Sequence, residues 1–144
     1  MSEQTLSPED RKALVAYRLE RAIETIEEAK YLRDGGFFAT AIGRLYYACF
    51  YAASAALISK SIEANTHAGV KRMLSLHFIV PGLLDKEYGA IYSNLFDKRH
   101  TSDYSDFVYF TGETVDYLLP KAQHFVRAIS DLVQSKDMDE SVGE

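Results

Sequence analysis

A single cysteine, Cys49, stands among 144 residues, so no internal disulfide can staple the chain and no oxidising compartment is implied. Proline is scarce, with three residues at 8, 81 and 120. There is no repeat, no low-complexity tract and no linker that would divide the chain, which reads as one domain large enough to bury its own core. The longest apolar run, Leu45 to Ser59, is bounded by Arg44 and Lys60 and falls short of the roughly 20 residues of a membrane span. Met1-Ser2-Glu3-Gln4 is polar and lacks the apolar core of a signal peptide. These absences lead us to expect a soluble, cytoplasmic protein with no membrane partner. Positive charge is also in short supply. The formal net charge is −5, which argues against a general nucleic-acid binder with a broad basic face but leaves room for a local basic site.

What the chain does have is helical periodicity. Ser7-Pro8-Glu9-Asp10 joins a serine cap, a proline at the first helical position and two acids at the positive end of the dipole. The pattern predicts a first helix from Pro8 to Asp34, with Leu14, Tyr17, Ala22, Ile26, Ala29 and Leu32 along it and Leu19 off the main stripe. Gly35-Gly36 breaks it. A second helix, Phe37 to about Lys60, carries a wide apolar face through Ile42, Leu45, Tyr46, Cys49, Phe50, Ala53, Ala56 and Leu57. Its alanines, Ala39 and Ala41 among them, invite close approach of neighbouring helices, and Cys49 reads as packing. Asn65-Thr66-His67 reads as the cap of a third helix that ends at Pro81-Gly82. A fourth begins near Leu84, and Ser105 to Thr111 reads as an ordered loop. A fifth runs from about Gly112 to Gln134, with Val115, Leu118, Leu119, Ala122, Phe125, Val126, Ile129 and Leu132 inward. The predicted organisation is a polar segment at 1–7, an all-α up-and-down bundle of about five helices over 8–134, and a frayed acidic tail at 135–144.

The fourth helix holds the most informative stretch. Its apolar stripe falls on Tyr88, Ile91, Tyr92, Leu95 and Phe96, and the next member of that stripe is Arg99. A guanidinium is not deprotonated and is costly to bury, so it calls for an anion, a partner subunit or a wet groove. Around it lie Asp97, Lys98, His100, Thr101, Ser102, Asp103 and Tyr104. The competing structural reading is an Arg99–Asp103 pair at i, i+4 closing the helix, with Tyr104 packed against it. His100 has a pKa suited to proton transfer, but one residue from Arg99 it points about 100° away on a regular helix. His77 and His124 lack ligand spacing, so neither a metal site nor a cofactor is expected. Lys71-Arg72 reads as a solvated face. Tyr46, Tyr47 and Tyr51 read as core and interface, with Tyr47 and Tyr51 one turn apart on an edge that a partner could meet.

Three stretches, Arg44-Leu45-Tyr46-Tyr47-Ala48-Cys49-Phe50-Tyr51-Ala52-Ala53, Thr66-His67-Ala68-Gly69-Val70 and Arg99 to Tyr104, resemble the HEPN family (higher eukaryotes and prokaryotes nucleotide-binding), in particular its small stand-alone prokaryotic members. The resemblance covers about Pro8 to Leu132. It implies a helical bundle, a homodimer, and a place in a toxin–antitoxin or defence-type module beside a nucleotidyltransferase. Many members are metal-independent ribonucleases whose motif is an arginine, often a polar residue, then a histidine after four to six positions. By resemblance Arg99 is the motif arginine and His100 the polar residue after it. The histidine's place is held by Tyr104, Ser105 or Asp106. On this reading Arg99, His100 and Tyr104 are the catalytic candidates, and Arg99, Asp103 and His67 the RNA- or nucleotide-binding ones. The alternative is a non-catalytic module that binds a nucleotidyltransferase.

Overall fold

The computed structural model describes residues 6–104 and 109–143, with backbone alone for 101–104 and 136–143. The described residues form helices and no strand: α1 (Pro8–Asp34), α2 (Phe38–Ser59), α3 (His67–Leu74), α4 (Lys86–Tyr104) and α5 (Gly112–Gly143), with a π-helical turn at Ser75–Ile79 after α3. The all-α bundle is the architecture that the periodicity predicts. The side chains of Asp103 and Tyr104, and the part of the expected 105–111 loop at 105–108, lie outside the described residues.

α1 starts where the cap chemistry puts it. The Asp10 backbone N–H donates to Ser7 Oγ at 3.0 Å, which satisfies one of the amides that a helix start leaves open. The chain turns out of α1 through Gly36, whose φ of +85° is left-handed and suits glycine. The buried face of α1 is Val15, Ala22, Thr25, Ile26 and Ala29, with Leu19 and Leu32 packed beside it. Two expectations are corrected here. Tyr17 is 56% exposed, and Leu19 belongs to the core side because it continues the Val15–Ala22 row at helical spacing.

α2 is the central element, in contact with α1, α3, α4 and α5. Ala41, Ala48, Ala52, Ala53, Ala55 and Ala56 are fully buried, so the backbones around them approach closely, whereas Ala39 is exposed. Ile42, Leu45 and Leu57 fill the space between, each contributing about 1.5–3 kcal/mol by leaving water. At 22 residues α2 is long and apolar enough to cross a membrane, contrary to the short apolar run expected above, and most of its apolar stretch is buried against the other helices.

α3 begins at Thr66, whose Oγ1 accepts the Gly69 amide at 2.9 Å. A Cβ at Gly69 would lie 2.9 Å from that oxygen, so any larger residue there would push the Thr66 hydroxyl and loosen the cap. On α4, Tyr92 and Leu95 are buried, while Tyr88, Ile91 and Phe96 pack at the margin of the core. α5 is anchored at its start by Arg33, whose guanidinium gives two bonds of 2.8 Å to the Asp116 carboxylate. α5 then runs through Pro120, and Val115, Leu118, Ala122, Phe125, Val126, Ile129 and Val133 form its buried face. Its backbone stays helical to Gly143 rather than ending at Gln134. No proline or glycine occurs between Gln134 and Gly143 to stop it.

Candidate functional site

Tyr46, Tyr47 and Phe50 lie within about one turn of α2, so their rings cluster on one side of that helix. Two other elements bring side chains to them: α3 supplies His67, and α4 supplies Phe96 and Arg99. The ring of Tyr46 meets Tyr92 and Phe96 edge-on, with centroids 5.8 and 5.9 Å apart. The His67 imidazole stacks on Phe50 at 4.4 Å and stands perpendicular to Tyr47 at 5.7 Å.

The hydroxyls of Tyr46 and Tyr47 are satisfied within the cluster, whereas the buried Tyr92 hydroxyl has no hydrogen-bond partner among the described residues. The Tyr46 hydroxyl and His67 Nδ1 share a hydrogen bond of 2.7 Å. Arg99 Nη2 donates to the Tyr47 hydroxyl at 3.1 Å, and its guanidinium lies 5.8 Å from the Tyr46 ring and 5.4 Å from the Tyr47 ring. The rings' electron-rich faces offset part of the cost of half-burying a cation. Burial pushes the Tyr46 phenol up from its ordinary value, with the nearby Tyr92 hydroxyl and then the Arg99 charge pulling the other way. Burial holds the His67 imidazole below its ordinary value, and the Arg99 charge adds to that. The neutral imidazole is therefore the favoured form at neutral pH. The two tautomers divide its chemistry. With hydrogen on Nδ1 it donates to Tyr46 and leaves Nε2 as a base; with hydrogen on Nε2 it accepts from Tyr46 and presents a donor.

A ladder of cations continues outward along α2. The Arg44 guanidinium lies 5.1 Å from the Tyr47 ring and the Arg21 guanidinium 5.3 Å from the Tyr51 ring. Glu28 joins them, at 3.1 Å from Arg44 and 3.4 Å from Arg21. Burial would raise the Glu28 carboxyl, but hydrogen bonds from Arg44 and Arg21 outweigh it and hold it below the usual carboxylate range. The protein thus places three guanidiniums on one tyrosine-rich face. The edge shared by Tyr47 and Tyr51 is real, with centroids 6.2 Å apart, and it carries cations.

Of the residues singled out in the sequence, Arg99 and His67 come together, joined through Tyr46 and Tyr47. His100 is exposed. His124 is exposed and occupied elsewhere, 3.0 Å from the Tyr88 hydroxyl and 3.7 Å from Glu87. Cys49 is buried in the core, and burial pushes its thiol far up, which suits packing and not nucleophilic attack. No group of three His, Cys, Asp or Glu among the described residues could hold a metal ion. Sequence reasoning missed Tyr46 and Tyr47 as site residues. The available signal was two adjacent phenols on an otherwise apolar helix, since a buried hydroxyl must find a partner.

Comparison with known proteins identifies the scaffold on which this cluster sits. The family model of the HEPN domain matches residues 15–132. A protein of Thermotoga maritima named "UPF0332 protein" is 34% identical over 125 residues, covering 87% of this chain and 95% of its own. Two proteins of Methanocaldococcus jannaschii are also similar. "Putative toxin MJ0142" is 30% identical over 83% of this chain and 82% of its own. "Putative toxin MJ0605" is 32% identical over 77% of this chain and 82% of its own.

Proposed function

This chain belongs to the HEPN domain family, and on that premise we propose that it is the toxin-type component of a two-part bacterial or archaeal module and that it recognises RNA or nucleotide phosphate at the Arg99–His67 cluster. The names carried by its archaeal relatives support the toxin half of this reading. The observation that carries the site is the convergence of Arg99, from the end of α4, with His67, from the start of α3, on Tyr46 and Tyr47. A planar guanidinium pairs bidentately with phosphate oxygens, and a neutral imidazole beside it is suited to accept or donate a proton.

For cleavage of RNA, a base takes the 2′-hydroxyl proton, an acid protonates the leaving oxygen and a cation stabilises the charge of the intermediate. Arg99 fits the last role. His67, held by Tyr46, fits one of the first two, beside His100 as the other candidate. Two copies meeting across the α4 side would pair two such sites, which accords with the homodimer we expect, acting in the cytoplasm without metal or cofactor. Asp103 and Tyr104, next to Arg99 in the chain, remain candidates for substrate contact. The competing reading is a non-catalytic module that binds a nucleotidyltransferase. What favours it is that, after four to six intervening residues beyond Arg99, the chain carries Tyr104, Ser105 and Asp106 and no histidine.

The test is cleavage of a mixed RNA pool in the presence of EDTA, with wild type, Arg99→Ala, His67→Ala and Tyr104→Phe at matched purity. Cleavage that falls at least a hundredfold in both Arg99→Ala and His67→Ala is the expected result. If no variant and no wild type cleaves, and RNA affinity is unchanged by Arg99→Ala, the binding-module reading replaces this one.

A further inference from the structure

His67 also lines a second feature, a cleft of about 870 Å³ between the N-terminal half of α1, the C-terminal half of α2 and the 60–66 connection. Neither Arg99 nor Tyr46 lines it. Two guanidiniums do. Arg11 is held in place, donating from Nη1 to the Ile58 carbonyl at 3.2 Å and from Nη2 to the Leu6 carbonyl at 3.3 Å. Arg18 is half-buried and has neither an ion pair nor a hydrogen bond among the described residues. Arg21, three residues on, has both Glu24 and Glu28. A guanidinium withdrawn from water without a counter-charge is a standing cost.

Two further residues of the cleft wall are out of character for their surroundings. Ser54 is the single polar residue in the buried run Ala52–Leu57, and it lines the cleft. Ser61, also in the wall, has φ of +60° and is the only non-glycine in the left-handed region among the described residues, a conformation that costs about 1 kcal/mol or more. The one acid in the wall is Glu63, which is exposed at its edge. In a chain of net charge −5, the cleft therefore gathers two guanidiniums and an imidazole against one carboxylate.

We propose that this cleft is a phosphate-binding site distinct from the Arg99 cluster. Arg18 is the bidentate partner of the phosphate, and Arg11 and the Ser54 hydroxyl are further donors. Two sources present the same chemistry, free inorganic phosphate and the 5′-phosphate of an RNA end. The shape of the planar guanidinium fork serves both.

The experiment is a titration of inorganic phosphate at constant ionic strength, read by the NMR signals of the His67 imidazole and by calorimetry, with chloride as the control anion. The same titration is run with a 5′-phosphorylated tetranucleotide and its 5′-hydroxyl form. Saturable binding is expected that weakens at least tenfold in Arg18→Gln, is partly kept in Arg18→Lys and tightens severalfold in Glu63→Gln, and that persists in the Arg99→Ala background, where phosphate bound at the Arg99 cluster is removed. Circular dichroism checks that each variant is folded. A tetranucleotide that gains tenfold or more from its 5′-phosphate assigns the site to an RNA end; no gain assigns it to the free ion. The proposal is overturned if phosphate produces no saturable change at His67, if a folded Arg18→Gln binds as well as wild type, or if Arg99→Ala and not Arg18→Gln abolishes binding. Failure of RNA cleavage would leave this result untouched, since Arg99 takes no part in it.

Discussion

The two sides of α2 are built from different chemistry. On one side Leu45, Ala48, Cys49, Ala52 and Ala56 are closed against neighbouring helices, and the only polar tip, the Cys49 thiol, reaches no closer than 3.9 Å to the Ala122 carbonyl. On the other side Tyr46, Tyr47 and Tyr51 carry hydroxyls and ring faces that engage His67, Arg99, Arg44 and Arg21. The alanine side is held by shape and the tyrosine side by directed contacts. The difference teaches where function can sit. A close-packed apolar seam has nothing to offer a ligand, whereas a layer of phenols and cations at the bundle edge has donors that can be redirected.

The contrast is broken most forcefully from the alanine side. Leu45→Ala removes a fully buried side chain and should cost about 2–5 kcal/mol in chemical denaturation, with RNA or nucleotide affinity of the remaining folded protein unchanged. A cost under 1 kcal/mol would mean that the seam is looser than its burial implies.

On the tyrosine side, Tyr46→Phe keeps the ring and deletes its bond to His67. The expected loss is about 1–3 kcal/mol, the cost of stranding a buried partner, with a larger proportional effect on RNA binding than on stability. The pH dependence sharpens this. Because the fold depresses the His67 pKa, the folded state binds fewer protons there than the unfolded chain does. The stability tied to neutral His67 is thus fully present above the ordinary histidine pKa of about 6.5 and is lost as pH falls through the lower folded value. His67→Gln should flatten that acid limb in Tm against pH; an unchanged slope would assign it to other groups.

The smallest change tests whether the α3 cap positions His67. In Gly69→Ala the new Cβ meets Thr66 Oγ1, and the weakened cap should cost about 1 kcal/mol. The His67 NMR signals should move while those of His124, on α5, stay in place. Movement of both would mean a global and not a local response.

Much of the fold was legible in the chain because its signals are local. Ser7, Pro8 and Gly35-Gly36 bound α1 as expected, and Thr66 caps α3. The three-and-four spacing of Tyr92 and Leu95 places the core side of α4. Tyr17 was misplaced because a stripe read on one helix does not reveal how wide a face its neighbours cover. α5 continues past the expected end at Gln134 because polar composition alone does not stop a helix, and polar residues without proline or glycine are compatible with one. Arg99 and His67 could each be singled out as a polar group at a telling position. Their meeting could not be read, because they lie 32 positions apart and are joined through tyrosines of a third helix.

The sequence by itself determined the helices, their caps, the family and the presence of an arginine on an apolar stripe, since each of these depends on residues within a few turns of one another or on a pattern along the chain. Only the tertiary structure decided that Tyr46 binds His67, that Arg99 rests on Tyr47, and that Arg18 lines a cleft with no ion pair among the described residues. Those outcomes depend on how separate helices pack. Packing brings together side chains whose separation along the chain carries no information about their distance in space.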